Sequence, residues 1–185
     1  KKMKDKKEIY NKKMRKMFTE NMKNIFTKDM LKKYDENMLN VLKEVGVDIL
    51  NVNYEEANKK RVNINKQEIY EIIWNMADIT ESFTFYGFSQ YMYKKTENVI
   101  WLNLSASLLS FTFCCVEGAY AVGIFHAREA VGIEKNLENL VTLLSFYGLP
   151  EYLTKDSKKS PASKSGSSSH RSLSSMLPRK KLCKN

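Results

Sequence analysis

Residues 24–65 read NIFTKDMLKKYDENMLNVLKEVGVDILNVNYEEANKKRVNIN, and the change of rhythm inside this stretch decides how the chain is expected to fold. Thr27 is placed to cap a helix whose apolar residues Leu31, Tyr34, Met38, Val41, Leu42 and Val45 recur at three- and four-residue steps. Gly46 stands where such helices stop. Beyond it Val47, Ile49 and Val52 alternate with polar residues as a half-buried strand does, and Val62 and Ile64 repeat the alternation after a short polar segment from Tyr54 to Lys60. Asn65 with Glu68 then forms a capping-box pattern, and Ile69, Ile72, Ile73 and Met76 give the next helix one buried face. Helices and strands interleave, so the expectation is an α/β fold.

Working outward, the clearest helix begins at Asn136. Leu137, Leu140, Val141, Leu144 and Tyr147 share one face, Gly148 ends it and Pro150 blocks continuation. Between these regions, residues 98–116 contain no charge over 19 positions, close to the roughly 20 that cross a bilayer core. Asn103, Ser105, Ser107, Ser110 and Thr112 interrupt the run, and Ile100, Leu102, Leu104, Ala106 and Leu108 alternate with their neighbours. A buried strand pair is therefore favoured over a membrane anchor, with Leu109, Phe111 and Phe113 continuing in shifted register as after a bulge.

Charge is concentrated at the ends. Residues 1–33 hold 13 basic and 4 acidic side chains, residues 155–185 hold 9 and 1, and the 121 residues between are net −7 within a total of +10. Clustered Lys and Arg can displace counterions from a phosphate backbone. Tyr10, Met14, Met17, Phe18, Met22 and Ile25 nevertheless form a helical stripe, so the first basic run reads more simply as the solvated face of an amphipathic helix, and nucleic acid is disfavoured as a partner. Ten Ser between Ser157 and Ser175 leave too little apolar surface to offset ordering entropy, which predicts a disordered basic tail.

Three Cys, two adjacent at Cys114 and Cys115, make no disulfide framework and read as core thiols in a cytoplasmic protein, and no amino-terminal signal pattern is seen. His126 and His170 are the only imidazoles, so no metal site is expected. His126 with Glu129 could act as an acid and base pair, although ordinary surface placement is the simpler reading.

Several of these patches resemble the trimethylamine methyltransferase family. Phe26, Thr27, Asp29, Leu31, Lys32, Val41, Leu42, Gly46 and Val47 match its helix entry and exit, Val62 and Ile64 its following strand, and Ser82, Phe83, Thr84 and Tyr86 its Ser-Phe-Thr-x-Tyr segment. Asn98, Val99 and Ile100 fit a further strand, and Phe146-Tyr147-Gly148-Leu149-Pro150 matches the close of a later helix. Asp156, Ser157, Lys158, Pro161, Gly166, Leu177 and Pro178 keep the order of the loop beyond it.

The resemblance implies methyl transfer from a methylated amine, of the trimethylamine or glycine betaine type, to a corrinoid on a partner protein, as in methanogenesis or one-carbon metabolism. It implies no directly bound cofactor and points to Tyr147, Gly148, Pro150 and Asp156 as substrate-binding, with no catalytic residue assigned. Phe83, Phe85, Tyr86, Phe88, Tyr91 and Tyr93 could supply aromatic faces for a methylammonium cation, or simply a core.

The resemblance also implies a TIM barrel, which takes about 250 residues, whereas this chain has 185. The expected form is therefore an incomplete or shortened TIM-barrel-like domain preceded by a helical amino-terminal region. Residues 1–80 form that region with short strands, 81–153 the α/β remnant of the barrel, and 154–185 the Ser/Lys-rich loop or tail. A homo-oligomer is compatible with this arrangement. Residues 126–131 followed by 144–150 also resemble the metal-binding helix of the dehydroquinate synthase and iron alcohol dehydrogenase superfamily, without its other His ligands. Two alternatives from other classes are a noncatalytic basic interaction module and a membrane-associated protein anchored by residues 98–116.

Overall fold

The computed structural model describes residues 2–61 and 64–147, and every regular element among them is a helix. In chain order these are α1 (Lys2–Glu20), α2 (Met22–Ile25), α3 (Lys28–Lys33), α4 (Glu36–Leu50), α5 (Tyr54–Lys60), α6 (Lys66–Thr80), α7 (Thr84–Thr96), α8 (Ile100–Ser107), a π turn (Leu108–Thr112), α9 (Ala119–Ile133) and α10 (Leu137–Leu144). The expected α/β, TIM-barrel-like domain is overturned, because the described residues contain no strand from which a sheet could form.

The correction begins in the opening stretch. Thr27 does cap a helix, accepting the Met30 N–H at 3.2 Å, but that helix closes at Lys33 and Asp35 caps the next by accepting from Met38 N–H at 2.8 Å. Gly46 does not end α4. It is a packing position, where a methyl group would lie 2.6 Å from Met76 Sδ and 2.8 Å from the Phe18 ring. Val47 and Ile49, read as strand, continue the helix and are buried. The true stop is Val52, which takes φ 62° while its N–H donates to Ile49 O and Asn53 N–H donates to Asp48 O. That pair of bonds is the Schellman closure usually built on glycine. Val62 lies outside the described residues, and Ile64 is a buried residue of the turn before α6.

Asn65 caps α6 as expected, accepting from Gln67 N–H at 2.8 Å, and Ile69, Ile72, Ile73 and Met76 are fully buried. Glu68 does not return to complete a capping box. It binds Lys33 at 2.9 Å and accepts from the Tyr34 phenol, tying α6 to the end of α3.

The centre of the bundle is α8, packed against α6, α7, α9 and α10. From Trp101 to Ser107 every residue is buried. The alternation expected to mark a strand fails here because the intervening positions are buried as well, so the helix has no solvent face to betray its period. Its polar groups are mostly paired: Ser105 with Ser89 at 2.6 Å and Gln90 at 2.7 Å, Ser107 with Tyr70 at 2.8 Å, and Asn103 with Asn139 at 2.7 Å. Residues 101–110 of the uncharged run thus lie in the core of a helical bundle, and no helix among the described residues is long and apolar enough to cross a membrane. Cys114 and Cys115 are not core thiols, since Cys114 is half-buried and Cys115 exposed in the turn after Phe113.

Candidate functional site

The most chemically loaded cluster joins α7 to α9. Tyr86 and Tyr93 stand seven residues apart on one face of α7, and His126 and Glu129 three apart on α9, so each pair is stacked along its helix. Tyr86 Oη lies 2.9 Å from His126 Nε2, and the Tyr93 phenol donates to Glu129 at 3.2 Å. His126 Nδ1 faces Glu129 at 3.8 Å without a hydrogen bond.

His126 was expected at the surface and is instead 6% exposed. Burial lowers its pKa and outweighs the opposing pull of Glu129, while burial raises that of the Tyr86 phenol. Both groups are therefore neutral near pH 7. The ladder has the parts of a proton relay, yet the shallow groove of about 450 Å³ is elsewhere, lined by Met17, Asn21, Asn24, Asn75, Asp78 and Ile79. A hydrogen-bonded clasp between two helices is what this geometry provides.

Of the residues expected to bind substrate, Tyr147 is exposed just beyond α10, and Gly148, Pro150 and Asp156 lie outside the described residues, as does the expected disordered tail. The candidate aromatics do not converge on one cation. Phe85 and Phe88 are buried in the core, Phe83 stacks on Phe113 at 4.1 Å, and Tyr91 donates to Glu55 beside Lys95. Among the described residues no group of three or more His, Cys, Asp or Glu is placed to hold a metal ion.

Two surfaces stand out instead. The first is α10, whose apolar stripe is turned to solvent. Its polar Asn139 is 1% exposed, whereas Leu137 is 77% and Leu144 59% exposed, with Leu140 and Val141 also outward. Asn139 accepts from Asn103 and donates to Ala130 O at 3.2 Å and Glu134 O at 2.6 Å, which fixes the helix rotation. Phe146 and Leu143 pack inward on Ala106, Ile124 and Ala127. The sequence pattern identified an apolar stripe correctly but carries no signal for the direction in which it points.

The second surface is the start of α1. Phe18 is buried and Met14 and Met17 pack on the core, whereas residues 5–10 are exposed at every position. Arg15 binds Glu44 of α4 bidentately, donating from Nε to one carboxylate oxygen and from Nη2 to the other. Lys6, Lys7, Lys12 and Lys13 are exposed and have no ion pair among the described residues. Neither family models nor curated proteins nor solved structures give a match to this chain.

Proposed function

We propose that this protein is a noncatalytic interaction module that engages a polyanionic surface through its amino-terminal helix. The observation that carries the reading is the first part of α1. A helix exposed on all sides gains nothing from tertiary packing, and this one carries Lys6 and Lys7 with Ile9 and Tyr10 into solvent, followed by Lys12 and Lys13. Such a basic arm lowers its own repulsion and releases counterions when it meets dense negative charge. The basic segment 155–185 adds to the same tendency.

Methyl transfer from a methylated amine to a corrinoid partner rests on residue resemblance alone. Of the residues that the resemblance points to, Tyr147 does not line the groove at Asn21, Asn24 and Asn75, and the interaction reading draws on more of the described geometry.

Retention on immobilised heparin, with the salt needed for elution as readout, tests the proposal. The K6Q/K7Q/K12Q/K13Q variant is expected to elute at clearly lower salt than the wild type with unchanged helical circular dichroism. Equal elution of the two proteins would remove α1 from the interaction.

A further inference from the structure

We infer that the groove between the end of α1, α2 and α6 binds a primary ammonium carried on an unbranched alkyl stem. The groove is a different surface from the basic arm of α1, and the inference goes beyond the polyanion reading without depending on it. Asn75, Asp78 and Ile79 lie three and four residues apart on one face of α6, and Met17, Asn21 and Asn24 repeat that spacing from α1 into α2. The two faces wall a groove of about 450 Å³, a volume within the range of small-ligand sites.

Which atoms are left for a ligand follows from where the amide hydrogens are already spent. Asn75 Nδ2 donates to Ile25 O, at the end of α2, at 3.0 Å. The reverse orientation would set two oxygens against each other, so Asn75 Oδ1 is turned from that carbonyl. Asn21 Nδ2 likewise donates to Met17 O at 2.9 Å, which leaves its oxygen to accept from Asn24 Nδ2 at 3.3 Å. That bond fixes Asn24 in turn. The Asn24 and Asn75 oxygens accept no hydrogen bond from a described residue, Asn24 is exposed, and the Asn75 oxygen is not closed off from solvent.

Asp78 supplies the charge. It is the ionisable residue in the lining, it is exposed, and it makes no ion pair or hydrogen bond with a described residue. Each amide keeps a second hydrogen, but no cation in the lining opposes the carboxylate. A negatively charged ligand is therefore repelled and a positively charged one attracted. Met17 and Ile79, both half-buried, add apolar surface to the same walls.

This inventory selects among cations. A primary ammonium has N–H donors in three directions and no acceptor, which suits two amide oxygens and a carboxylate. Methylenes next to the nitrogen cover Met17 and Ile79 while the charged head stays toward water. A quaternary ammonium brings the same charge with no N–H, so the amide oxygens gain nothing from it. A free alkylamine and the Lys side chain of a peptide share the favoured chemistry, and the arms of the test separate the two.

The test is titration of the isotope-labelled full chain with n-butylammonium, with the peptide acetyl-Gly-Lys-Gly-amide and with tetramethylammonium, all as chlorides at constant ionic strength, followed by amide correlation spectra. Saturable shifts of the Asn21, Asn24 and Asn75 side-chain amides and of the Asp78 backbone amide are expected with n-butylammonium. The dissociation constant is expected on the order of millimolar, because one solvated ion pair and a short stem contribute modestly. Tetramethylammonium is expected to bind about five-fold more weakly, and D78N to weaken n-butylammonium about five-fold with unchanged helical circular dichroism. Tighter binding of the peptide than of n-butylammonium would support the site with a protein side chain as its ligand, and the reverse order would support it with a free amine. No saturable shift with either primary ammonium, equal binding of tetramethylammonium, or wild-type affinity in D78N would overturn the inference, and heparin retention would still report on α1 separately.

Discussion

Asn103 Nδ2 donates to Asn139 Oδ1 at 2.7 Å inside the bundle, tying α8 to the side of α10 that is turned away from solvent. Asn139 spends its own amide hydrogens on Ala130 O and Glu134 O, so one side chain closes the end of α9, the turn after it and the contact to α8.

Asn139→Ala leaves the Asn103 amide and two carbonyls without this partner in a site closed to water. Each buried group left unpaired is worth about 1–3 kcal/mol, and partial relaxation brings the expected loss to about 2–4 kcal/mol. For a chain of this size that lowers the melting temperature by roughly 5–15 °C. Thermal denaturation followed by circular dichroism measures it, and a change below about 0.5 kcal/mol would show that Asn139 does not fix α10.

Val52 takes the left-handed conformation that closes α4, with φ 62°, and it is exposed. A β-branched residue there strains its backbone by about 1–2 kcal/mol, and nothing in the structure explains why valine occupies the position. Val52→Gly relieves the strain but adds entropy to the unfolded chain, leaving an expected gain of about 1 kcal/mol or a rise of roughly 2–4 °C. An unchanged or lower melting temperature would mean that Val52 makes a contribution its exposure conceals.

Gly46 and Gly123 are packing glycines with opposite sequence appearances, one before an apolar run and one within it. A Cβ at Gly46 would sit 2.6 Å from Met76 Sδ and 2.8 Å from Phe18. Gly46→Ala gains helix propensity of about 1 kcal/mol but forces two buried side chains apart, an overpacking penalty of about 1–3 kcal/mol. The net expectation is destabilisation by about 1 kcal/mol in urea unfolding; a stabilised variant would show that α1 and α4 are packed more loosely.

His126 supplies a pH dependence whose sign follows from burial. Its folded pKa is lowered from 6.5, first by burial and against the opposing charge of Glu129, so the unfolded chain binds the proton more readily. The stability it contributes is complete above the unfolded value and is lost as pH falls through the folded value. Glu44 and Glu68 also have lowered pKa values, through Arg15 and through Tyr34 with Lys33 respectively, but their contribution falls away only at more acid pH, below the carboxylate value of 4.5. Between pH 7.5 and 5.5 the urea midpoint is expected to fall in the wild type and to fall less in H126Q. Parallel curves for the two proteins would exclude the Tyr86 and His126 clasp as their source.

Local capping was the part of this fold most legible in the sequence. Thr27 and Asn65 each accept a backbone N–H from the first turn of the helix they were read to open, because a cap depends on three or four neighbouring residues only. Tertiary burial misled the rest. In α8, Ser105 and Ser107 are as hidden as Leu104 and Ala106, so hydropathy alternated without any backbone alternation to cause it. In α4, Gly46 looked like a terminator because glycine serves both as a stop and as a point of close approach, and only Phe18 and Met76 distinguish the two. The Tyr86 and His126 contact spans 40 residues, beyond what periodicity can indicate, and α10 was recognised as a helix while its facing was not.

The most direct measurement of that facing is solvent paramagnetic relaxation enhancement of leucine methyl groups with a soluble gadolinium chelate. The account predicts strong broadening for Leu137, Leu140 and Leu144 and protection for Leu42, Leu102 and Leu104, which are fully buried. Protection of the three α10 leucines to the level of Leu102 in the monomeric protein would contradict it.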